Sequence, residues 1–143
     1  MTTHIETPFG AIDPEHASEL LFPLGIPGFP AVDRFVLAAL PGTPGPFCVL
    51  HGLGETAVDL VVTPWETLAD RVSAVDIDET RQALGIAADA LQVLFVVTLP
   101  PRGSGDDAQV NVRAPLFVDV DRRVAVQMVL GNPSYQFRQP LAA

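Results

Sequence analysis

Between residues 22 and 29 the chain reads Phe22-Pro23-Leu24-Gly25-Ile26-Pro27-Gly28-Phe29, with two prolines and two glycines spaced among four apolar side chains. Each proline fixes its own φ and pushes the residue before it, Phe22 or Ile26, out of the helical region, so the stretch must be extended or turned. Pro27-Gly28 reads as a turn with proline at the second position and glycine supplying positive φ at the third. Phe22, Leu24, Ile26 and Phe29 call for burial. The expectation is a stiff apolar loop. Its plain role is a corner that plugs one end of a sheet or barrel with aromatic rings. Its alternative role is an exposed surface for a partner.

At 143 residues the chain has the length of one domain, residues 1–143, long enough to bury about 68% of the surface its unfolded form exposes. No apolar run approaches the ~20 residues of a membrane helix, and the first residues lack the basic and apolar regions of a signal peptide. A cytoplasmic protein with no membrane contact is expected. The single cysteine, Cys48, stands in the apolar run Pro46-Phe47-Cys48-Val49-Leu50, has no partner for an internal disulfide and reads as a strand residue facing the core. Residues 1–90 hold thirteen acidic side chains against three arginines, a net of −10, and residues 91–143 hold four against five, a net of +1. The total of −9 argues against direct nucleic-acid binding, which relies on cations neutralising phosphates. A basic protein partner would complement the acidic part, although such a surface also serves solubility alone.

Along the chain, residues 4–13 suggest an opening hairpin turning at Pro8-Phe9-Gly10, and residues 17–22 a strand running into the Pro/Gly loop. Residues 33–40 form another strand, with Phe35 and Leu37 on one face. Residues 41–45 read as a loop, and residues 46–50 and 57–63 as strands. Gly52-Leu53-Gly54-Glu55-Thr56-Ala57 fits a dinucleotide-binding pattern, but that pattern needs a helix next, and a β-branched run broken by Pro64 follows instead. Two short helices are expected: residues 64–71, with Thr63 as N-cap and Pro64 first, and residues 78–84, capped by Asp78 and ended by Gly85. Residues 91–99 are so continuously apolar that they read as a central strand buried on both faces. A polar loop spans 100–107. Residues 109–119 alternate, break at Pro115 and resume, and residues 122–130 alternate again after a tight Asp121-Arg122 turn. The tail from 131 is irregular, to be pinned to the body by Tyr135, Phe137 and Leu141.

Catalysis needs a nucleophile, a base or a metal. His4, His16 and His51 are scattered, with no second ligand at metal spacing. Ser104 lacks the first glycine of a nucleophile elbow and its strand-to-helix context. The acid pairs Asp76/Asp78 and Asp106/Asp107 sit in turn-like sequence, where Asp serves the backbone. No cofactor is expected.

The octapeptide, the earlier Phe9-Gly10, Phe35 and Leu37, Pro46-Phe47 with Leu50, Asn111-x-x-Ala114-Pro115, Gln127-x-x-Leu130, Tyr135 and the closing Arg138-x-Pro140-Leu141 together resemble the FliW family of bacterial flagellar assembly factors. The similarity runs from about Ile5 to Leu141. It is the octapeptide and the Asn111 to Pro115 element that are individually specific. Departures fall at Leu50-His51-Gly52, where the family often has Leu-Gln-Ser, and at Ala69-Asp70-Arg71, where it often ends an aromatic segment with Pro-Asp-Tyr. The resemblance implies a mainly β fold, a small antiparallel β pseudobarrel with one or two short helices, and no catalysis. It implies two protein partners, flagellin and the RNA-binding translational repressor CsrA, with flagellin displacing the protein from CsrA. Contacts are then expected at Phe22, Ile26, Pro27 and Phe29, at Glu66 and Asp70, and at Asn111, Arg113, Pro115 and Tyr135, on a monomer. The alternatives are a small β-barrel enzyme or ligand-binding domain whose site assembles only in the fold, and a purely structural module.

Overall fold

Residues 91–99, read from the sequence as the central strand, become the strand with the most partners. The computed structural model describes residues 5–13, 17–29, 32–40, 46–54, 58–101 and 103–141. In it β7 (Leu91–Thr98) pairs on one side with β6 (Asp59–Pro64). On its other side it pairs first with β9 (Leu116–Asp119) and then with the two-residue β8 (Gln109–Val110). Its side chains alternate between two cores: Val93, Phe95 and Val97 enter one cluster, and Leu94 and Val96 the other. Burial on both faces, read from composition, is thus met by two separate packing layers.

From β7 the sheet continues through β6 to β5 (Cys48–Gly52), β4 (Arg34–Ala39) and β3 (Ser18–Leu21), all antiparallel. β3 meets β10 (Val124–Gln127), β10 pairs with β9, and β9 returns to β7, closing a barrel of seven strands. One seam departs from the antiparallel expectation: β10 runs parallel to β3 and meets it only at Val124 and Leu21, with Leu21 N–H donating to the Arg123 carbonyl at 2.9 Å. Leu20, Phe35, Leu50, Val62, Leu94, Leu116 and Ala125, one from each barrel strand, fill the interior.

The Pro/Gly loop closes one end of this interior. Phe22 is fully buried, its ring meeting Phe35 edge-on at 5.1 Å, and Ile26 is buried beside it. Two reverse turns shape the loop, with Gly25 N–H on the Phe22 carbonyl and Phe29 N–H on the Ile26 carbonyl, both at 2.8 Å. Gly28 takes φ 94° at the third position of the second turn, as the Pro-Gly pair predicts. Burial of all four apolar side chains does not hold. Leu24 is 83% exposed and Phe29 38%, because the two turns send only Phe22 and Ile26 inward.

The hairpin of β1 (Ile5–Thr7) and β2 (Gly10–Ile12) forms as expected and lays Ile12 on Val36 and Ala38 outside the barrel. Val36 therefore has a buried face opposite Phe35. Gly52 is required by space, since a Cβ there would lie 2.9 Å from Val32 Cγ1 and 3.3 Å from Phe35. The first described element after Gly54 is the strand β6, so the nucleotide-binding context is missing.

The outer face of β6, β7 and β9 is covered by helical segments and the tail. The helix α1 (Ala74–Leu84) starts four residues before the expected cap: Ser73 caps it, accepting from Val75 N–H at 3.2 Å, while Asp78 lies mid-helix. Gly85 ends it in the left-handed conformation, φ 73°, as its sequence suggests. Thr63 and Pro64 do not open a helix. They continue β6 in register with Phe95 and Leu94, and a single 3-10 turn, Trp65–Leu68, follows. Asp76 is likewise helical, not in a turn. The loop expected at residues 41–45, His4 and His16 lie outside the described residues.

Candidate protein-interaction surfaces

The residues singled out from sequence separate into three places. Phe22 and Ile26 face the barrel interior, while Pro27 and Phe29 stay at the surface of the loop. Glu66 and Asp70 are exposed on the 3-10 turn and just beyond it. Asn111, Arg113, Pro115 and Tyr135 come together where the crossover from β8 to β9 passes beneath the tail.

That third group is mostly turned inward. Asn111 Oδ1 accepts from Ala114 N–H at 3.0 Å and so shapes the turn that leads into buried Pro115. Arg113 donates through Nε to the Leu130 carbonyl at 3.0 Å, and its guanidinium lies 5.5 Å over the Phe137 ring. Tyr135 is buried. Its hydroxyl accepts from Ser73 N–H at 2.9 Å and donates to Asp76 Oδ2. Burial, reinforced by Asp76, pushes the Tyr135 phenol above its ordinary range. Phe137, expected to pin the tail, is instead 53% exposed, and Leu141 takes that role in the core cluster. The last strand, β11 (Gln139–Pro140), adds to β8, and Arg71 fastens it by donating to the carbonyls of Pro140 and Leu141 at 3.1 and 2.8 Å. The sequence departure at Arg71 thus has a structural use.

Carboxylates gather on the helical layer. Residues 65–90 carry six acidic side chains against Arg71 and Arg81. Glu66, Asp70, Asp78, Glu79 and Asp89 are exposed. Both arginines are engaged: Arg71 with the tail, and Arg81 with Asp78 at 2.7 Å and the Ile86 carbonyl at 2.8 Å. The layer consequently presents negative charge to solvent. Elsewhere on the barrel, His51 Nδ1 meets Asp59 Oδ1 at 2.6 Å across β5 and β6.

A fourth feature was not read from the sequence. An apolar cleft of about 430 Å³ opens between Pro23 and Leu24 of the loop, Leu84 and Ile86 at the end of α1, and Phe117, Val124 and Val126 of the β9–β10 hairpin. Asp119 and Arg122 supply its charged lining. The one signal for it in the sequence was Leu24, a large side chain locked between Pro23 and Gly25.

No described group resembles a catalytic constellation. Among the described residues no three His, Cys, Asp or Glu side chains could hold a metal ion, and no helix is long and apolar enough to cross a membrane. Cys48, at the start of β5, is half-buried, and desolvation raises its thiol pKa.

Comparison with known proteins accounts for this arrangement. The profile of the FliW protein family matches residues 3–141. The chain belongs to the FliW family. A flagellar assembly factor FliW from Thermotoga maritima is 31% identical over 138 residues, covering 96% of this chain and 91% of that protein. One from a Geobacillus species is 31% identical over 136 residues, covering 92% and 90%. The crystal structure of a flagellar assembly factor FliW superposes with a TM-score of 0.74 at 25% identity, covering 97% of this chain and 96% of the other. The FliW resemblance carried by the octapeptide and the Asn111–Pro115 element therefore extends to the whole barrel.

Proposed function

We propose that this protein is a cytoplasmic, non-enzymatic flagellar assembly factor that binds flagellin and the translational repressor CsrA, and so couples flagellin levels to translation of flagellin mRNA. Membership of the FliW family carries the reading. The surface chemistry agrees with it. The acidic helical layer around Glu66, Asp70 and Glu79 suits a cationic RNA-binding protein, which it engages without touching RNA. Flagellin occupies an apolar surface through its C-terminal helical segment, and its binding releases CsrA. The protein acts as a monomer.

The test is calorimetry and size-exclusion chromatography with purified flagellin and purified CsrA from the same bacterium. Each should bind alone, and flagellin added to the CsrA complex should release CsrA. Trp65, the sole tryptophan, sits next to Glu66 and gives an independent fluorescence signal for CsrA docking. Absence of heat and of co-elution for both proteins at tens of micromolar would refute the reading.

A further inference from the structure

Two apolar surfaces could take the flagellin segment: the cleft beside Leu24, and the patch made by Val129, 63% exposed, and Phe137, 53% exposed, around Arg113. They differ in chemistry. Arg113 is already committed, to the Leu130 carbonyl and to the face of Phe137, so that patch offers little polar complement to a newcomer. The cleft has three walls from three separate elements and an exposed cation at its rim.

Arg122 is that cation. Its side chain is 75% exposed and lies 3.8 Å from Asp119 Oδ2, a long contact. Asp119 spends its other oxygen on the hairpin turn, accepting from the backbone N–H groups of Asp121 and Arg122, both at 3.1 Å. The neighbouring Arg123, held at φ 57°, lines a separate surface with Glu19 and Arg34 and adds nothing to the cleft. Among the described residues Arg122 is the one cation in the cleft lining, and its counter-charge Asp119 keeps only 10% of its side chain exposed, so an incoming carboxylate meets an exposed guanidinium, whereas a basic segment is drawn to the helical layer.

We propose that the cleft between the Pro/Gly loop, the end of α1 and the β9–β10 hairpin is the docking groove for an amphipathic helical segment whose apolar face is flanked by a carboxylate that meets Arg122. This rests on the flagellin-binding reading above and supplies its site and its specificity. Leu24, 83% exposed, is the wall that such a helix covers, and the Pro-anchored turns fix its backbone beforehand, which lowers the ordering cost at binding. Leu84 and Ile86 form the facing wall. They continue directly from the acidic helix α1, so a helix seated in the groove stands at the edge of the CsrA-facing layer. That shared helix explains how one partner excludes the other.

The experiment is calorimetry with full-length flagellin and with a synthetic peptide of its C-terminal helical segment, using Leu24→Glu, Arg122→Glu, Arg122→Lys and, at the other patch, Phe137→Ala. Leu24 and Arg122 are exposed, so these variants keep the fold, checked by circular dichroism. Leu24→Glu should weaken both ligands at least about tenfold and Arg122→Glu about three- to tenfold, Arg122→Lys should retain most of the affinity, and Phe137→Ala should change it less than about twofold. Wild-type binding that survives Leu24→Glu and Arg122→Glu but falls with Phe137→Ala would overturn the cleft and leave the functional reading intact. A wild type that binds CsrA but no flagellin would overturn the functional reading and, with it, the occupant. Self-association of the wild type that Leu24→Glu abolishes would assign the cleft to a second copy and overturn the proposal.

Discussion

Tyr135 in the C-terminal tail donates its hydroxyl proton to the Asp76 carboxylate on α1 while accepting from the backbone N–H of Ser73, the residue that caps the same helix. One side chain thus ties the tail to the helix start and satisfies a donor at the cap. Tyr135→Phe removes both hydrogen bonds and keeps the ring, and should cost about 1 to 2 kcal/mol in urea unfolding.

The same residue makes stability fall in alkali. Burial, then Asp76, holds the phenol above its ordinary value in the folded state, while the Ser73 N–H and Asn132 pull the other way. The fold therefore favours the protonated form. Its contribution is complete below the unfolded pKa of about 10 and is lost as pH rises through the folded value. Cys48 shifts in the same direction from 9.0, by desolvation, so the Cys48→Ser background isolates the tyrosine. In that background the protein with Tyr135 should lose stability as pH rises above about 10, the unfolded value, more steeply than Tyr135→Phe. Parallel curves would dismiss the linkage.

Rings in the Pro/Gly loop should separate by burial. Phe22 is fully buried against Phe35, so Phe22→Ala should cost about 3 to 5 kcal/mol. Phe29 is 38% exposed, and its truncation should cost only about 1 to 2 kcal/mol. Equal losses in denaturant midpoint would contradict the assignment of Phe22 as the plug.

Two glycines test two different constraints. At Gly28, φ 94° with open space around an added Cβ, alanine meets only backbone strain, about 1 to 2 kcal/mol. At Gly52 the added Cβ would press on Val32 at 2.9 Å and on Phe35 and Val58 at 3.3 Å, an overpacking cost of about 1 to 3 kcal/mol. Val32→Ala should relieve part of the second cost and none of the first, measured as a double-mutant cycle.

Local rules were legible where one residue type leaves one choice. Pro27-Gly28 specified its turn, Gly85 its helix end, and the run from Leu91 its place between neighbouring strands. What could not be read depends on distant partners. Ser73 becomes the helix cap in company with Tyr135, 62 positions away, so Asp78 looked the better cap in isolation. Thr63 and Pro64 carry good helix-start chemistry, yet pairing with Phe95 and Leu94 keeps them in the sheet. The parallel contact of Leu21 with Val124 joins strands a hundred residues apart and has no local signature. Leu24 read as core because apolar residues usually are, and the cleft it lines takes its other walls from α1 and the β9–β10 hairpin.

The charge map leads to the prediction that bears most on function. Glu66 and Asp70 are exposed on the helical layer, whereas Asp106 and Asp107 stand on the loop between β7 and β8. Asp78 is a poorer steering charge than it looks, because Arg81 and Gln82 both donate to its carboxylate. Exposed charges act mainly on association rate and are screened over about 8 Å at physiological salt. Glu66→Arg with Asp70→Arg should therefore slow CsrA association by more than Asp106→Arg with Asp107→Arg, with dissociation changed far less. The wild-type on-rate should fall as salt is raised, and the first double variant should flatten that dependence. Neither pair is in the core, so melting temperatures should stay within a few degrees of the wild type. Surface plasmon resonance traces at several salt concentrations decide the matter. An on-rate indifferent to salt and to both reversals would make the acidic layer a solvated surface and remove it from the CsrA interface.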